Sequence, residues 1–136
     1  VERVAVILLD THVLIWFAAE PRRLSKAATT AIRKAISVGG LGVASVSVWE
    51  MAMLLAAGRL RSPGTIDAAL QRLIAATGLT VKEITPQVAA LSVQLPSSFP
   101  GDPADRLIAA TAIAEGLPLV TKDREIRESR LLKTIW

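Results

Sequence analysis

The chain of 136 residues has no cysteine and no tyrosine, only two phenylalanines, and a single histidine. Without cysteine there is no disulfide framework, no thiolate metal site and no sulfur nucleophile, which agrees with a reducing compartment. One histidine leaves no Ser–His–Asp set that can be assembled with confidence. The shortage of aromatic rings argues against the stacking platform that single-strand-binding folds use. Long apolar runs are missing too. No stretch of about 18 apolar residues escapes interruption by charge, proline or glycine, so no membrane span is expected. The early run "VAVILL" has no small-residue cleavage site after it and reads as a strand, not a signal peptide. The glycines form neither G-x-G-x-x-G nor a phosphate loop.

What is present is apolar material, 51% of the residues, in a chain of one-domain length, 1–136. That suffices for a sizeable core. The net charge of +4 is spread along the chain, with clusters at "RLR" (59–61) and "KDREIRESR" (122–130). A modest basic excess suits a polyanion such as RNA or DNA, met through its phosphates.

Strand and helix signals alternate. "VAVILLD" (4–10), "LGVAS" (41–45), "LTVKEI" (79–84) and "PLVTKD" (118–123) read as strands, with "KTIW" a candidate fifth. Helical spacing is expected at 12–20, at 24–37 before Gly39–Gly40, at 47–58 with Ser45 or Ser47 as cap, at 65–78 and at 86–95. A proline-rich loop then leads into the helix opened by "DPADR". This alternation predicts an α/β fold with a mostly parallel sheet of four to five strands, covered by helices on both faces. Sites in such sheets lie beyond the carboxyl ends of the strands.

Four carboxylates are expected at that edge. Asp10 and Asp123 end the first and fourth strands. Glu50 lies a turn into the helix after the second, with no lysine or arginine within a helical turn. Asp105 joins them only if the loop at 96–102 lifts its helix start beside the strand ends. Asp102, before Pro103, reads as the cap of that helix. Each acid alone has a bland explanation: Asp10 and Asp123 as caps, Asp105 as a first-turn charge favoured by the helix dipole, Glu50 as partner of a distant arginine such as Arg106. Together, acids without matching bases call for a hard divalent cation such as Mg²⁺. Thr11, Ser45, Ser47 and Thr121 flank the acids as orienting hydroxyls, and Arg106, Lys122 and Arg124 are candidates for positioning an RNA backbone. His12 reads as a local hydrogen-bonder, and Trp16, Trp49 and Trp136 as core or interface residues.

The blocks "ILLDTHVLIW", "SVSVWEMAMLLAAGRL" and "DPADRLIAATAIAEGLPLVTKD" resemble the successive motifs of PIN-domain ribonucleases, specifically VapC toxins of toxin–antitoxin modules. The resemblance implies a PIN-like three-layer fold and an Mg²⁺- or Mn²⁺-dependent site that hydrolyses RNA. Its quartet falls on Asp10, Glu50, Asp105 and Asp123, and Thr11 matches the hydroxyl that commonly follows the first acid. It further implies a cytoplasmic homodimer neutralised by a VapB antitoxin whose segment lies over the site. The leading "VERV", without a methionine, departs from the usual start of the first motif. Two other readings stay open at this point: a phosphotransfer or phosphatase domain with Asp10 as aspartyl nucleophile, and a non-catalytic binding partner with structural acids.

Overall fold

A computed structural model describes residues 4–136; residues 1–3 of the leading "VERV" lie outside the described part. Five strands form one sheet in the order β3-β2-β1-β4-β5, every pair parallel. They are β1 (Ile7–Leu9), β2 (Leu41–Ala44), β3 (Thr80–Lys82), β4 (Leu119–Val120) and β5 (Thr134–Ile135). The helices are α1 (Thr11–Ala19), α2 (Lys26–Ser37), α3 (Ser45–Ala56), α4 (Ile66–Thr77), α5 (Pro86–Gln94), α6 (Pro103–Glu115) and α7 (Arg124–Ser129), with a 3₁₀ turn at Pro21–Arg23.

The two faces of β1 feed two cores, because successive side chains on a strand point to opposite sides. Ile7 and Leu9 pack with Val13, Leu14, Ile32, Leu41, Val43 and Val120 beneath α1 and α2. Leu8 packs on the other side with Leu119, Phe99, Ile108, Ala109 and Ile126 beneath α6 and α7. This is why all three β1 residues are buried and why the strand reads as an unbroken apolar run. Small residues let the layers close. A Cβ on Gly42 would stand 3.1 Å from that of Ala5 and 3.2 Å from the Ile7 carbonyl oxygen.

The strands are shorter than the apolar runs suggested. β1 ends before Asp10, which caps α1: its carboxylate accepts the Thr11 N–H at 2.7 Å while its own N–H still donates to the Val120 carbonyl at 3.0 Å. β4 stops before Thr121, whose hydroxyl reaches sideways to Asp10. α3 starts at Ser45, with Ala44 at its cap position and no side-chain cap bond. Neither Ser45 nor Ser47 caps it; Ser47 is wholly buried beside Thr11 instead. Trp49, expected in a core or interface, is 59% exposed on α3. No helix of the described residues is long and apolar enough to cross a membrane.

The chain runs outward from β1 to β2 and β3, then returns to place β4 on β1's other side. The crevice at this reversal, off the carboxyl ends of β1 and β4, is the usual ligand position in an open parallel sheet. Asp10 and Asp123 follow those two strands.

Candidate active site

A cleft of about 430 Å³ opens there, lined by Asp10, Thr11, His12, Trp16, Glu50, Asp102, Asp105, Lys122 and Asp123. All four acids of the expected quartet border it, and Asp102 makes a fifth carboxylate. Three of them reach the cleft by a local cause. Asp10, Asp102 and Asp123 are N-caps of α1, α6 and α7, positions where a short carboxylate accepts otherwise orphaned helix N–H groups. Asp102 accepts from the N–H of Ala104 at 2.8 Å and of Asp105 at 3.2 Å, with Pro103 pre-setting the first turn. Asp123 accepts from the N–H of Ile126 at 3.0 Å.

The hydroxyls tie the acids together. The Thr121 hydroxyl, fully buried, donates to Asp10 Oδ2 at 2.7 Å and accepts the Asp123 N–H at 3.0 Å. One side chain thereby fixes a carboxylate on β1 relative to the backbone after β4. Thr11 does the same between α1 and α3: its hydroxyl donates to Glu50 Oε1 at 2.5 Å and lies 2.8 Å from that of Ser47. Both threonines stand where the sequence placed orienting hydroxyls. Ser47, also expected to flank the acids, joins them through the Thr11 hydroxyl.

Asp105 is held differently. No described side chain or N–H bonds its carboxylate, and its place depends on how α6 begins. The adjacent Arg106 governs that. Its Nε donates to the carbonyl of Pro100 at 3.0 Å, Nη1 to those of Ser92 and Leu95 at 3.3 and 3.2 Å, and Nη2 to those of Pro96 and Phe99 at 3.1 and 3.3 Å. The guanidinium thus gathers the end of α5 and the loop at 95–102 onto the first turn of α6. This satisfies the condition on which Asp105 could join the other acids. It also corrects two expectations for Arg106. With its donors spent on carbonyls it is not free for RNA, and it makes no ion pair with Glu50.

Of the other basic candidates, Lys122 lines the cleft, whereas Arg124 is exposed outside it and pairs with Glu128 at 2.9 Å. His12 is exposed on the cleft wall, its ring 6.1 Å from that of Trp16.

Electrostatically the cleft is strained. Burial raises the Asp10 carboxyl above its ordinary value, against the pull of Thr121 and the Thr11 N–H. Asp105 is pushed up to about 7, first by burial and then by the negative charges of Asp10, Asp102, Asp123 and Glu50. A cation relieves such repulsion. No three of the described acidic or histidine side chains converge as they stand at metal-coordinating distance. The acids therefore ring the cleft, a donor set suited to an ion that takes one or two carboxylates and completes its shell with water, as Mg²⁺ does.

An acid-lined cleft at the switch point of a five-stranded parallel sheet defines an α/β protein with a candidate hydrolytic centre. Comparison with known proteins gives the family. The PIN domain family model matches residues 7–130. The chain is 49% identical over 132 residues to Ribonuclease VapC22 of Mycobacterium tuberculosis, covering 96% of this chain and 98% of that protein. Among solved structures, DNA-bound VapBC from Salmonella typhimurium superposes with a TM-score of 0.73 at 20% identity, over 96% of this chain and 97% of that one. VapBC2 from Rickettsia felis, bound to a promoter DNA fragment, does so with a TM-score of 0.71 at 15% identity, over 95% and 96%. At such identities the two structures attest the fold alone. The chain belongs to the PIN domain family and is a homologue of the VapC ribonucleases.

Proposed function

We propose that this protein acts as a divalent-metal-dependent endoribonuclease, the toxin of a toxin–antitoxin pair, with Asp10, Glu50, Asp105 and Asp123 as its catalytic acids. The observation that carries the reading is the meeting of five carboxylates in one cleft of about 430 Å³ with a single ammonium, Lys122, on its wall. Asp105 and Asp10 would be the principal holders of Mg²⁺ or Mn²⁺, with Glu50 and Asp123 assisting directly or through water. When bound, the ion would supply positive charge to the phosphoryl oxygens and lower the pKa of an attacking water. Within the chain, Thr121 and the Thr11 N–H hold Asp10 in one orientation, and Thr11 turns Glu50. Asp102 starts the helix that presents Asp105. Lys122 and, outside the cleft, Arg124 are placed to meet RNA phosphates.

The partner we propose is a VapB-type antitoxin. An apolar groove of about 320 Å³, lined by Ile15, Met51, Leu55, Leu60 and Leu73 among others, shares α1 and α3 with the cleft. An antitoxin segment laid there would run on towards the acids. A homodimer is proposed as well; the exposed Trp49 and Met53, one turn apart on α3, offer apolar surface to a second copy. Activity on RNA beside an antitoxin would belong in the cytoplasm, in a single domain spanning the chain.

Calorimetric titration of Mg²⁺ and Mn²⁺ into wild type and Asp105→Ala, followed by cleavage of RNA by both, tests the reading. Binding and cleavage lost together in the variant are expected. A wild type that neither binds metal nor cuts RNA would instead leave a binding protein with structural acids.

A further inference from the structure

Lys122 stands beside Asp123 and lines the same cleft as five carboxylates, yet among the described residues no ion pair includes it. Its ammonium lies instead over the ring of Trp16, 5.6 Å from the centroid. The Arg23 guanidinium is over the same ring at 4.5 Å, and is held from outside by Glu20 at 3.4 Å. The Trp136 ring supports Trp16 at 6.0 Å with a 59° tilt, and His12 flanks it at 6.1 Å. An indole attracts cations through its electron-rich face, and Arg is well suited to such stacking. Trp16 thus gathers two cations, one that lines the cleft and one outside its lining. The ammonium keeps its donors for a ligand, since none of the described side chains takes a hydrogen bond from it.

This arrangement answers a problem set by the acids. A strand of RNA brings one negative charge per phosphate. A cation in the cleft can neutralise the phosphate being cut, but the neighbouring phosphate would still face a carboxylate-lined rim. We infer that Trp16, Lys122 and Arg23 form a subsite for the RNA phosphodiester next to the scissile one, with the indole holding the two cations in line along the strand's exit from the cleft. The contact is to backbone charge and carries no sequence preference. It rests on the nuclease reading above and adds to it the path of the substrate.

The experiment measures cleavage of a random-sequence single-stranded oligoribonucleotide in Mg²⁺ by wild type, Lys122→Ala, Arg23→Ala and Trp16→Leu. Binding of the same RNA is measured over a salt series with Asp10→Asn in each background. Lys122→Ala is expected to raise KM about tenfold with kcat within twofold, the signature of binding shared by ground and transition states. The slope of log affinity against log salt should fall by about 0.7 for each cation lost, as for a single-strand phosphate contact. Trp16→Leu should lower that slope although both cations remain, which a charge effect alone would not do. Arg23→Ala should show the smaller KM change and be silent on a dinucleotide, which has no neighbouring phosphate.

Unchanged KM and salt slope in Lys122→Ala, with cleavage intact, would overturn the subsite and leave the nuclease reading standing. A raised KM in Trp16→Leu at unchanged slope would overturn the phosphate assignment in favour of a base stacked on the ring. Should Trp16→Leu fail to fold, the exposed Lys122 and Arg23 variants decide the matter. A wild type that neither binds nor cuts RNA would overturn the nuclease reading, and this inference with it.

Discussion

On the strand side of the cleft, Asp10 has one oxygen on the Thr11 N–H and the other on the Thr121 hydroxyl. Across the cleft, Asp105 has no described hydrogen-bond partner and is placed by a loop that Arg106 gathers from five carbonyls. The first acid is fixed by direct bonds to the chain beside it and to the strand next door. The second is fixed at one remove, through the start of its helix. Asp10 thus has its charge partly answered by protein dipoles, while Asp105 is left in mutual repulsion and is the more dependent on a cation.

Removing either acid is the coarsest way to break that contrast. Asp10→Asn and Asp105→Asn should each lower RNA cleavage by more than the 10–100-fold typical of residues that merely support a metal ligand. Melting temperature, measured without metal, should rise in Asp105→Asn, where a repelled charge is lost. It should rise less in Asp10→Asn, where the hydrogen bonds of a charged acceptor to the Thr11 N–H and the Thr121 hydroxyl are exchanged for neutral ones. Equal responses would dissolve the distinction.

Arg106→Ala attacks the remote scaffold. Five carbonyls lose a charged donor, and bonds of this kind contribute roughly 1.5–3 kcal/mol each but do not add. A loss of about 3 kcal/mol in urea unfolding is expected, with metal affinity falling alongside it in calorimetry at a temperature where the variant is folded. Arg106→Lys should recover little, since an ammonium has three donors and no planar fork. Retained metal affinity in a folded Arg106→Ala would show that the loop does not place Asp105.

Thr121→Val is the corresponding cut on the strand side. It is close to isosteric, removes the donor to Asp10 and leaves the Asp123 N–H without its acceptor. Activity should fall roughly 10–100-fold, with Thr121→Ser close to wild type. Similar rates for the valine variant would mean that Asp10 needs no support from β4.

The mildest probe is pH. An Asp105 carboxyl pushed up to about 7 keeps, in the fold, a proton that the unfolded chain releases near 3.8. Its contribution to stability is therefore complete below the lower value and is lost as pH rises through 7. Metal-free wild type should lose more melting temperature between pH 5 and pH 8 than Asp105→Asn does, and Mg²⁺ at pH 8 should restore part of the loss. A pH difference of the same size in the variant would assign the titration to another group.

The sequence was most legible where causes are local. Caps, prolines and glycines marked the helices, and the aliphatic runs marked strands buried on both faces. Asp10, Asp102 and Asp123 were visible because a cap position couples an acid to the helix it starts. The runs overstated β1 and β4: Asp10 and Thr121 keep backbone bonds to Val120 and Ile135, but the chain turns toward a helix within a few residues of each. Arg106 was misread for a related reason. A basic residue beside an acid looks like a ligand for phosphate, and nothing in the string reveals that a loop will bring five carbonyls around it.

By itself, then, the amino-acid order determined the alternation of elements, a mostly parallel sheet and the set of carboxylates that end strands or open helices. Those features follow from periodicity and from backbone groups that must be satisfied within a few residues. Only the tertiary structure decided which acids are tied down and which is left repelled. It also decided that Arg106 builds the scaffold, and that Lys122 lies over Trp16 and, among the described residues, pairs with no carboxylate. Those outcomes depend on contacts between residues distant along the chain, such as Thr121 with Asp10, 111 positions apart. The energies of such contacts are set by burial and charge that no local stretch contains.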